Sequence, residues 1–177
     1  MKKVLLLTLM LCFSICTYAQ NTIKFLGIPV DGTKEEMIAK LQAKGYEYNA
    51  SDDLLYGEFN GRDVFIRINT VNNRVWRIGV INASYTNEAN IKIQFNTLFD
   101  QFLNNGKYYC IDGNKLDDTD KISYEMTVNH KRYDAYFGLI DTSVNGIVWY
   151  TIVEESGEYA ICIYYENMDN EANGEDL

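Results

Sequence analysis

The sequence predicts an α+β fold: two tandem units, each a helix followed by three strands, that form one antiparallel sheet with both helices on one face. Two observations predict this arrangement. Stretches with apolar residues at helical spacing open both halves of the chain, and three short runs with strand-like alternation follow each stretch. The units span about 33–81 and 88–166 within a single domain of residues 20–167, a length that suits one hydrophobic core.

The first unit opens with a helix predicted over residues 34–44. Thr33 and Glu36 have the spacing of a capping box, and Gly45 follows the last helical turn as a stop signal. Asn60-Gly61 is a strong signal for a two-residue turn between the first two strands. The strands are predicted at 54–59, 62–70 and 74–81.

The second unit opens with a helix predicted over residues 88–104, which Asn105-Gly106 ends. The apolar stripe of this helix comprises Ile91, Phe95, Leu98, Phe99, Phe102 and Leu103. The strands that follow are predicted at 133–140, 146–155 and 158–166.

The two units share a similar phrase, RVWRIGV at 74–80 and IVWYTIV at 147–153. Aligning these phrases pairs the third strand of one unit with the second strand of the other, and it leaves the final strand without a counterpart. Sliding the alignment by one strand matches the order of elements in both units. We therefore interpret the repeat as one of topology and treat the shared Val-Trp pairs as a coincidence.

The segment that follows the second helix fits two structures. Ile122, Tyr124, Met126 and Val128 alternate as in a strand, whereas the 118–120 stretch DTD is typical of a helix start and Ile122 with Met126 also fits a helix. The β-branched content favours a strand over residues 121–128, and a helix is the alternative.

Both ends of the chain differ in composition from the domain. Residues 1–19 carry two lysines, an apolar run too short to span a membrane and a small-residue cleavage site. This pattern predicts a signal peptide and an exported protein, periplasmic or secreted, with a lipoprotein as the weaker alternative. Residues 168–177 are acidic and nearly free of apolar side chains, so we expect a disordered tail.

The composition also excludes some partners. The formal net charge is −9 at pH 7, and removing the predicted signal peptide would make it more negative because that segment holds lysines and no acids. Such a surface repels nucleic-acid phosphates and anionic lipid, so we expect neither as a partner.

Cys110 and Cys162 are the two cysteines left after the predicted signal peptide. In an oxidising compartment they could form a disulfide. The alternative is a buried free thiol, because Cys162 lies in an apolar strand-like run.

The opening FLGIPVDGT of residues 25–33, the helix end KLQAKGY and the NGRDVFIRI hairpin resemble a family of short, exported, uncharacterised proteins of gut bacteria. That resemblance implies no activity. The order of helices and strands is also similar to the β-lactamase inhibitor protein and to small outer-membrane assembly lipoproteins, in which Gly32, Thr33, Met37 or Ile38 and Leu41 would match a helix-opening pattern. That second resemblance implies a protein-binding sheet face.

The residues that could support catalysis or metal binding lack a suitable context. His130 is the single histidine, and no serine or cysteine lies in a hydrolase motif. The loop of residues 112–121 is rich in oxygen ligands without EF-hand spacing, and Glu154-Glu155 ends a strand. We therefore predict no catalytic residue, no metal and no cofactor.

Strand alternation predicts an aromatic surface on the sheet face turned away from the helices. Val64, Ile66, Ile68, Trp76, Ile78 and Val80 should point towards the helices, and the residues between them should point away. The predicted surface comprises Tyr56, Phe65, Arg67, Arg77, Tyr136, Trp149 and Tyr164. Tyrosine, tryptophan and arginine are the residues enriched at binding hot spots.

Three functions follow from this surface, in order of preference. The first is an exported, non-enzymatic binding module whose ligand is a protein or a glycan. The second is a structural or envelope-associated interaction protein that self-associates, with the sheet face buried in a homo-oligomer. Aromatic residues also suit strands in general, so the alternative to a binding surface is a second layer, the N-terminal segment or a dimer mate, that covers them. The third is a hydrolase.

Overall fold

The computed structural model describes residues 22–171 of the 177-residue chain. The predicted signal peptide and the last part of the predicted tail therefore lie outside the described residues. The helices are α1 (Lys34–Gln42), α2 (Glu88–Asn104) and α3 (Ile122–Asn129). The strands are β1 (Lys24–Phe25), β2 (Ile28–Pro29), β3 (Glu47–Asn49), β4 (Leu54–Phe59), β5 (Arg62–Val71), β6 (Arg74–Asn82), β7 (Tyr108–Asp112), β8 (Asp134–Leu139), β9 (Gly146–Glu155) and β10 (Glu158–Asn167).

Eight of the strands form one antiparallel sheet in the order β3-β4-β5-β6-β10-β9-β8-β7, and β1 pairs with β2 in a separate small hairpin. The α+β class is therefore confirmed. Four strands of the large sheet follow α1 and four follow α2, one more in each half than the sequence predicts. The additional strands, β3 and β7, are the short strands at the two edges of the sheet, where propensity signals are weakest.

Local sequence signals set most element boundaries. The Thr33 hydroxyl accepts a hydrogen bond from the Glu36 amide, and the Glu36 carboxylate accepts one from the Thr33 amide, which completes the predicted capping box of α1. Asn60 and Gly61 both have positive φ angles, as the two-residue turn between β4 and β5 requires.

Both long helices pack on the same face of the sheet. Met37 and Leu41 of α1 and Phe95 of α2 are buried in one core with the inward-facing residues of β4, β5, β6, β8, β9 and β10. The Tyr150 hydroxyl of β9 donates a buried hydrogen bond of 3.1 Å to the Phe95 carbonyl. Within residues 22–171, no helix has the length and apolar composition needed to cross a membrane.

The N-terminal segment belongs to the helical layer. Phe25 is fully buried, and its ring lies 5.0 Å from the inward-facing Tyr165 of β10 and 5.3 Å from Phe59 of β4. Ile23 packs beside the backbone of Gly146. Residues 22–30 therefore cover the helical side of the sheet and leave the opposite face open.

The prediction of a strand over residues 121–128 is wrong, because Ile122–Asn129 form α3. Ile122 and Met126 face the core one helical turn apart, whereas Tyr124 and Val128 are more than half exposed. A strand would have placed all four side chains on one face. The Ile122 amide also donates to the Glu88 carboxylate at 2.8 Å, which joins the start of α3 to α2.

The first residues of the predicted disordered tail form specific contacts. The Met168 amide donates to the Asn145 carbonyl at 3.1 Å, and the Asn170 side chain donates to the Asp31 carboxylate and to the Val75 carbonyl. Residues 172–177 lie outside the described part of the chain.

Candidate binding face

All seven residues of the predicted aromatic surface lie on the sheet face turned away from the helices. Strand register places Tyr136, Trp149 and Tyr164 directly opposite one another on β8, β9 and β10. Tyr56 is opposite Phe65 on β4 and β5, and Arg67 and Arg77 occupy the same side of β5 and β6. We name this surface the open face, because no helix or strand within residues 22–171 packs on it.

Tyr136, Trp149 and Tyr164 form a continuous stack across three strands. The ring centroids are 5.5 Å apart for Tyr136 and Trp149 and 4.2 Å apart for Trp149 and Tyr164, with interplanar angles of 20° and 26°. Rings lying side by side in one plane cannot approach so closely. The three rings therefore stand upright on the sheet, with their faces against one another and their edges towards solvent.

Glu166 holds this stack to its neighbours. Its Oε1 accepts a 2.7 Å hydrogen bond from Trp149 Nε1. The same oxygen forms an ion pair with a guanidinium nitrogen of Arg77, also at 2.7 Å. The Glu166 side chain is only 8% exposed. A carboxylate this buried requires charged or hydrogen-bonding partners, and both partners come from the open face.

Arg77 connects the stack to Trp76. The Arg77 guanidinium carbon lies 4.0 Å from the centre of the Trp76 ring and 5.2 Å from that of Tyr164. Arg77 therefore contacts two aromatic rings while it pairs with Glu166. Its Nε is buried without a hydrogen-bond partner among the described residues.

The prediction that Trp76 points into the core is wrong. A β-bulge shifts the register so that Asn69 is opposite Arg77 and Thr70 is opposite Val75, which leaves Trp76 as the extra residue of β6. Val75 fills the buried position, and the indole of Trp76 lies beside Arg77. A bulge interrupts the two-residue period on which the prediction relied.

The remaining predicted residues form a second, more exposed group. Tyr56 and Phe65 are 42% and 37% exposed, and their rings contact each other at 5.5 Å. Arg67 is exposed and has no ion pair within residues 22–171. Gly79 lies between Arg67 and Tyr164 in the register, so the structure does not bring this group into contact with the stack.

Burial raises the pKa of both tyrosines in the stack. It raises the pKa of Tyr164 to about 12, with a further contribution from the neighbouring Cys162 thiol. Burial and then the Asp134 carboxylate raise the pKa of Tyr136. Both hydroxyls therefore stay protonated at neutral pH, and the Tyr136 hydroxyl donates to the Asp134 carboxylate at 3.4 Å.

Sequence reasoning missed several residues of the open face. The Tyr109 ring extends over Gly138, where an added Cβ would lie 2.6 Å from Tyr109 Cζ. The Arg132 guanidinium lies 5.9 Å from the Trp149 ring. Glu166 could have been found, because it is an acidic residue at an outward position at the end of an apolar strand, two residues after Tyr164.

Cys110 and Cys162 do not pair. Cys162 is buried on the open-face side of β10, whereas Cys110 lies at the core side of the edge strand β7. The strands β8 and β9 separate them, a spacing of roughly 14 Å across the sheet. A disulfide needs Cα atoms within about 7 Å, so the free-thiol alternative describes this fold.

The other candidate residues have structural roles. His130 is exposed and ends α3 in a left-handed conformation, with φ 54°. The Asp117 carboxylate accepts hydrogen bonds from the amides of Thr119 and Asp120 within its own loop, and Glu154 accepts one from the Gly157 amide. No group of three or more possible ligands is placed to hold a metal in the described part of the chain.

Comparison with protein-family models, with curated proteins and with solved structures finds no match to this chain. The function of the open face is therefore inferred from its geometry.

Proposed function

We propose that this protein is an exported, non-enzymatic binding module that uses the open face to bind another protein. One observation carries the proposal: seven aromatic and arginine side chains share a sheet face on which no described helix or strand packs. Large aromatic rings and arginine contribute most of the binding energy at protein interfaces. An uncovered set of them is unusual in a protein that works alone.

The orientation of the rings favours a protein over a glycan. A sugar ring packs its apolar face on the flat face of an aromatic side chain, and the faces of Trp149 are covered by Tyr136 and Tyr164. The stack presents ring edges, which carry partial positive charge. Backbone carbonyl groups and acidic side chains of a protein are suitable partners for these edges.

Arg67 adds a charge that a partner could use. It is exposed without an ion pair among the described residues, beside the exposed Tyr56 and Phe65 pair. A partner carboxylate at this position would form a charge-assisted hydrogen bond. Self-association is the rival function, and the net negative charge on each copy opposes it at low ionic strength.

We also propose that the two halves of the sheet are tandem units. Each half begins with a helix and continues as four antiparallel strands, with α3 inserted between β7 and β8 in the second half, and the halves meet through β6 and β10, the last strand of each. This order supports the resemblance to the β-lactamase inhibitor protein, and protein binding on a sheet face would then be shared by analogy of fold.

The test is affinity capture from the envelope fraction of the source cell with wild-type protein, Arg67→Ala and Phe65→Ala. Both side chains are exposed, so the variants should keep wild-type stability. We expect the captured partner to bind each variant roughly 5- to 30-fold more weakly, the usual effect of a hot-spot truncation of about 1–2 kcal/mol.

Tyr124→Ala is the matched control, since Tyr124 is an exposed aromatic residue of α3 outside the open face. Equal loss of the partner with Tyr124→Ala, or wild-type capture by both face variants, would contradict the proposal. Light scattering of the purified protein distinguishes self-association from binding of another protein. If the wild-type protein is a dimer and Phe65→Ala is a monomer, the open face serves self-association.

A further inference from the structure

Two adjoining grooves lie on the helical side of the molecule, away from the open face. The larger has a volume of about 1060 Å³ and runs between the β1–β2 hairpin and the loop between β8 and β9. The smaller, of about 570 Å³, runs between α2 and the β4–β5 hairpin. Leu26, Tyr108 and Tyr165 line both grooves, so the two volumes meet at these residues.

The larger groove is bordered by three lysines that the fold leaves without ion pairs. Lys24 comes from β1, Lys40 from the last turn of α1, and Lys107 from the turn before β7. None of the three forms an ion pair within residues 22–171. In a chain with 25 acidic and 16 basic residues, three unpaired lysines around one groove are a local excess of positive charge.

The carboxylates of the same groove are already engaged. Asp31 accepts from Arg74 at 2.9 Å and from the Asn170 side chain at 2.8 Å. Asp141 accepts from the Ser143 amide at 3.0 Å within its own turn. Arg74 offsets the charge of Asp31, and the single charge of Asp141 is smaller than that of the three lysines, so an anion entering the groove would meet a net positive charge.

The walls of the larger groove away from the lysines are apolar. They include Leu139, Ile140 and Val144 beside the shared Leu26, Tyr108 and Tyr165. Ile140 is 56% exposed although it is aliphatic. The hydroxyls of Tyr108 and Tyr165 form no hydrogen bond among the described residues, which leaves two donors in the groove.

We propose that this groove binds a free anionic amphiphile, a molecule with a carboxylate-type headgroup and an apolar chain. The headgroup pairs with the lysines, and the chain lies on the aliphatic and tyrosine walls and extends into the smaller groove. Both volumes fall near the range of small-molecule sites, roughly 300–1,000 Å³. This site is separate from the open face and does not depend on its function.

The experiment measures binding of decanoate, below its micellar concentration, to the purified protein by calorimetry, with decanol as the neutral analogue of equal chain length. We expect decanoate to bind and decanol to bind at least tenfold more weakly. The double variant Lys40→Gln/Lys107→Gln should weaken decanoate binding about fivefold, as the loss of two exposed ion pairs implies. Raising the ionic strength should also weaken it.

Two variants separate the contributions of the groove from general effects. Lys121→Gln removes an exposed lysine that does not line either groove and should bind decanoate as wild type does. Ile140→Ser should weaken decanoate and decanol binding together, since it shortens the apolar wall.

Four outcomes would overturn the proposal. Decanoate and decanol could bind equally, or the double lysine variant could bind as wild type does. The protein could bind anionic phospholipid vesicles but not monomeric decanoate, which would indicate a membrane surface as the ligand. Light scattering could show a dimer that the double lysine variant dissociates, which would assign the groove to a second copy of the chain.

Discussion

Trp149 Nε1 donates a 2.7 Å hydrogen bond to Glu166 Oε1 across neighbouring strands of the open face. The same oxygen also forms an ion pair with the Arg77 guanidinium. One buried carboxylate thus orients the central ring of the aromatic stack and the arginine beside it. The open face is consequently a prearranged surface, in which Glu166 joins the stack to Arg77.

Replacing Trp149 by alanine should lower the free energy of unfolding by about 1–3 kcal/mol, the usual effect of removing a donor from a buried, charged acceptor. This loss is smaller than the 3–5 kcal/mol expected for a tryptophan in the core, because Trp149 is half buried. Denaturant unfolding at neutral pH measures it. Trp149→Phe separates the two contributions, since it also removes the donor to Glu166 but keeps an aromatic ring in the stack, so most of the loss should persist in it.

The link between Trp149 and Glu166 can be measured by a double-mutant cycle of Trp149→Phe and Glu166→Ala, since a glutamine at position 166 would still accept the hydrogen bond. We expect a coupling energy of about 0.5–2 kcal/mol, because the two side chains share a direct hydrogen bond. Additive losses would show that the hydrogen bond contributes nothing. A loss of 4 kcal/mol or more with Trp149→Ala would mean that the face is covered in solution.

The cysteines should both remain reduced in the isolated protein. Mass spectrometry after alkylation of unfolded, unreduced protein without residues 1–19 should show two modified thiols, because Cys110 and Cys162 lie on different sides of the sheet. In folded protein Cys110 should react before Cys162, which is only 7% exposed. Burial raises the pKa of both thiols, so both reactions should be slow at neutral pH.

Asp31 should make stability depend on acid pH. Burial alone raises its pKa, and hydrogen bonds from Asn170, Gly32 and Arg74 together lower it by more, so the folded pKa lies below its ordinary value of 3.8. A lowered folded pKa gives stability that is present above 3.8 and is lost as the pH falls through the folded pKa.

Asp31→Asn should therefore destabilise the protein by about 1 kcal/mol at pH 7 and by progressively less below about pH 5. Unfolding of both proteins across pH 2–7 measures the difference. A difference that stays constant over this range would show that the Asp31 charge has no part in holding Arg74 and Asn170.

Gly146→Ala tests the packing of the N-terminal segment on the helical side. A Cβ at Gly146 would lie 2.8 Å from Ile23 Cβ and 3.0 Å from the Glu166 carbonyl oxygen, and neither can move freely. We expect a loss of about 1–3 kcal/mol of stability, as for other overpacked sites.

Gly138→Ala is the matched control, because its added Cβ would meet only the distal end of the exposed Tyr109 ring, which can rotate away. Its effect on unfolding should stay within about 0.5 kcal/mol. Equal effects of the two substitutions would contradict the position of Ile23.

Local signals in the sequence predicted most of the individual elements. The Thr33 capping box, the Asn60-Gly61 turn and the apolar stripe of α2 act over a few residues, so their outcome does not depend on the rest of the chain. Strand alternation also placed the seven residues of the open face on one side, since the two-residue period holds wherever a strand is regular.

Where the sequence fits two local structures about equally well, tertiary contacts determine which one forms. Residues 122–129 fit a strand or a helix, and the burial of Ile122 and its bond to Glu88 select the helix. Trp76 does not lie in its predicted position, because β6 has a bulge where it pairs with β5. A bulge depends on how two strands pair, so the alternation within one strand cannot predict it.

The sequence by itself thus determined the class of fold, the positions of α1 and α2 and the composition of the open face. Only the tertiary structure determined that β6 joins β10, that Glu166 organises Trp149 and Arg77, and that Lys24, Lys40 and Lys107 border one groove. The physical reason is distance along the chain. Each of these contacts joins residues from separate elements, and no periodicity within one segment encodes them.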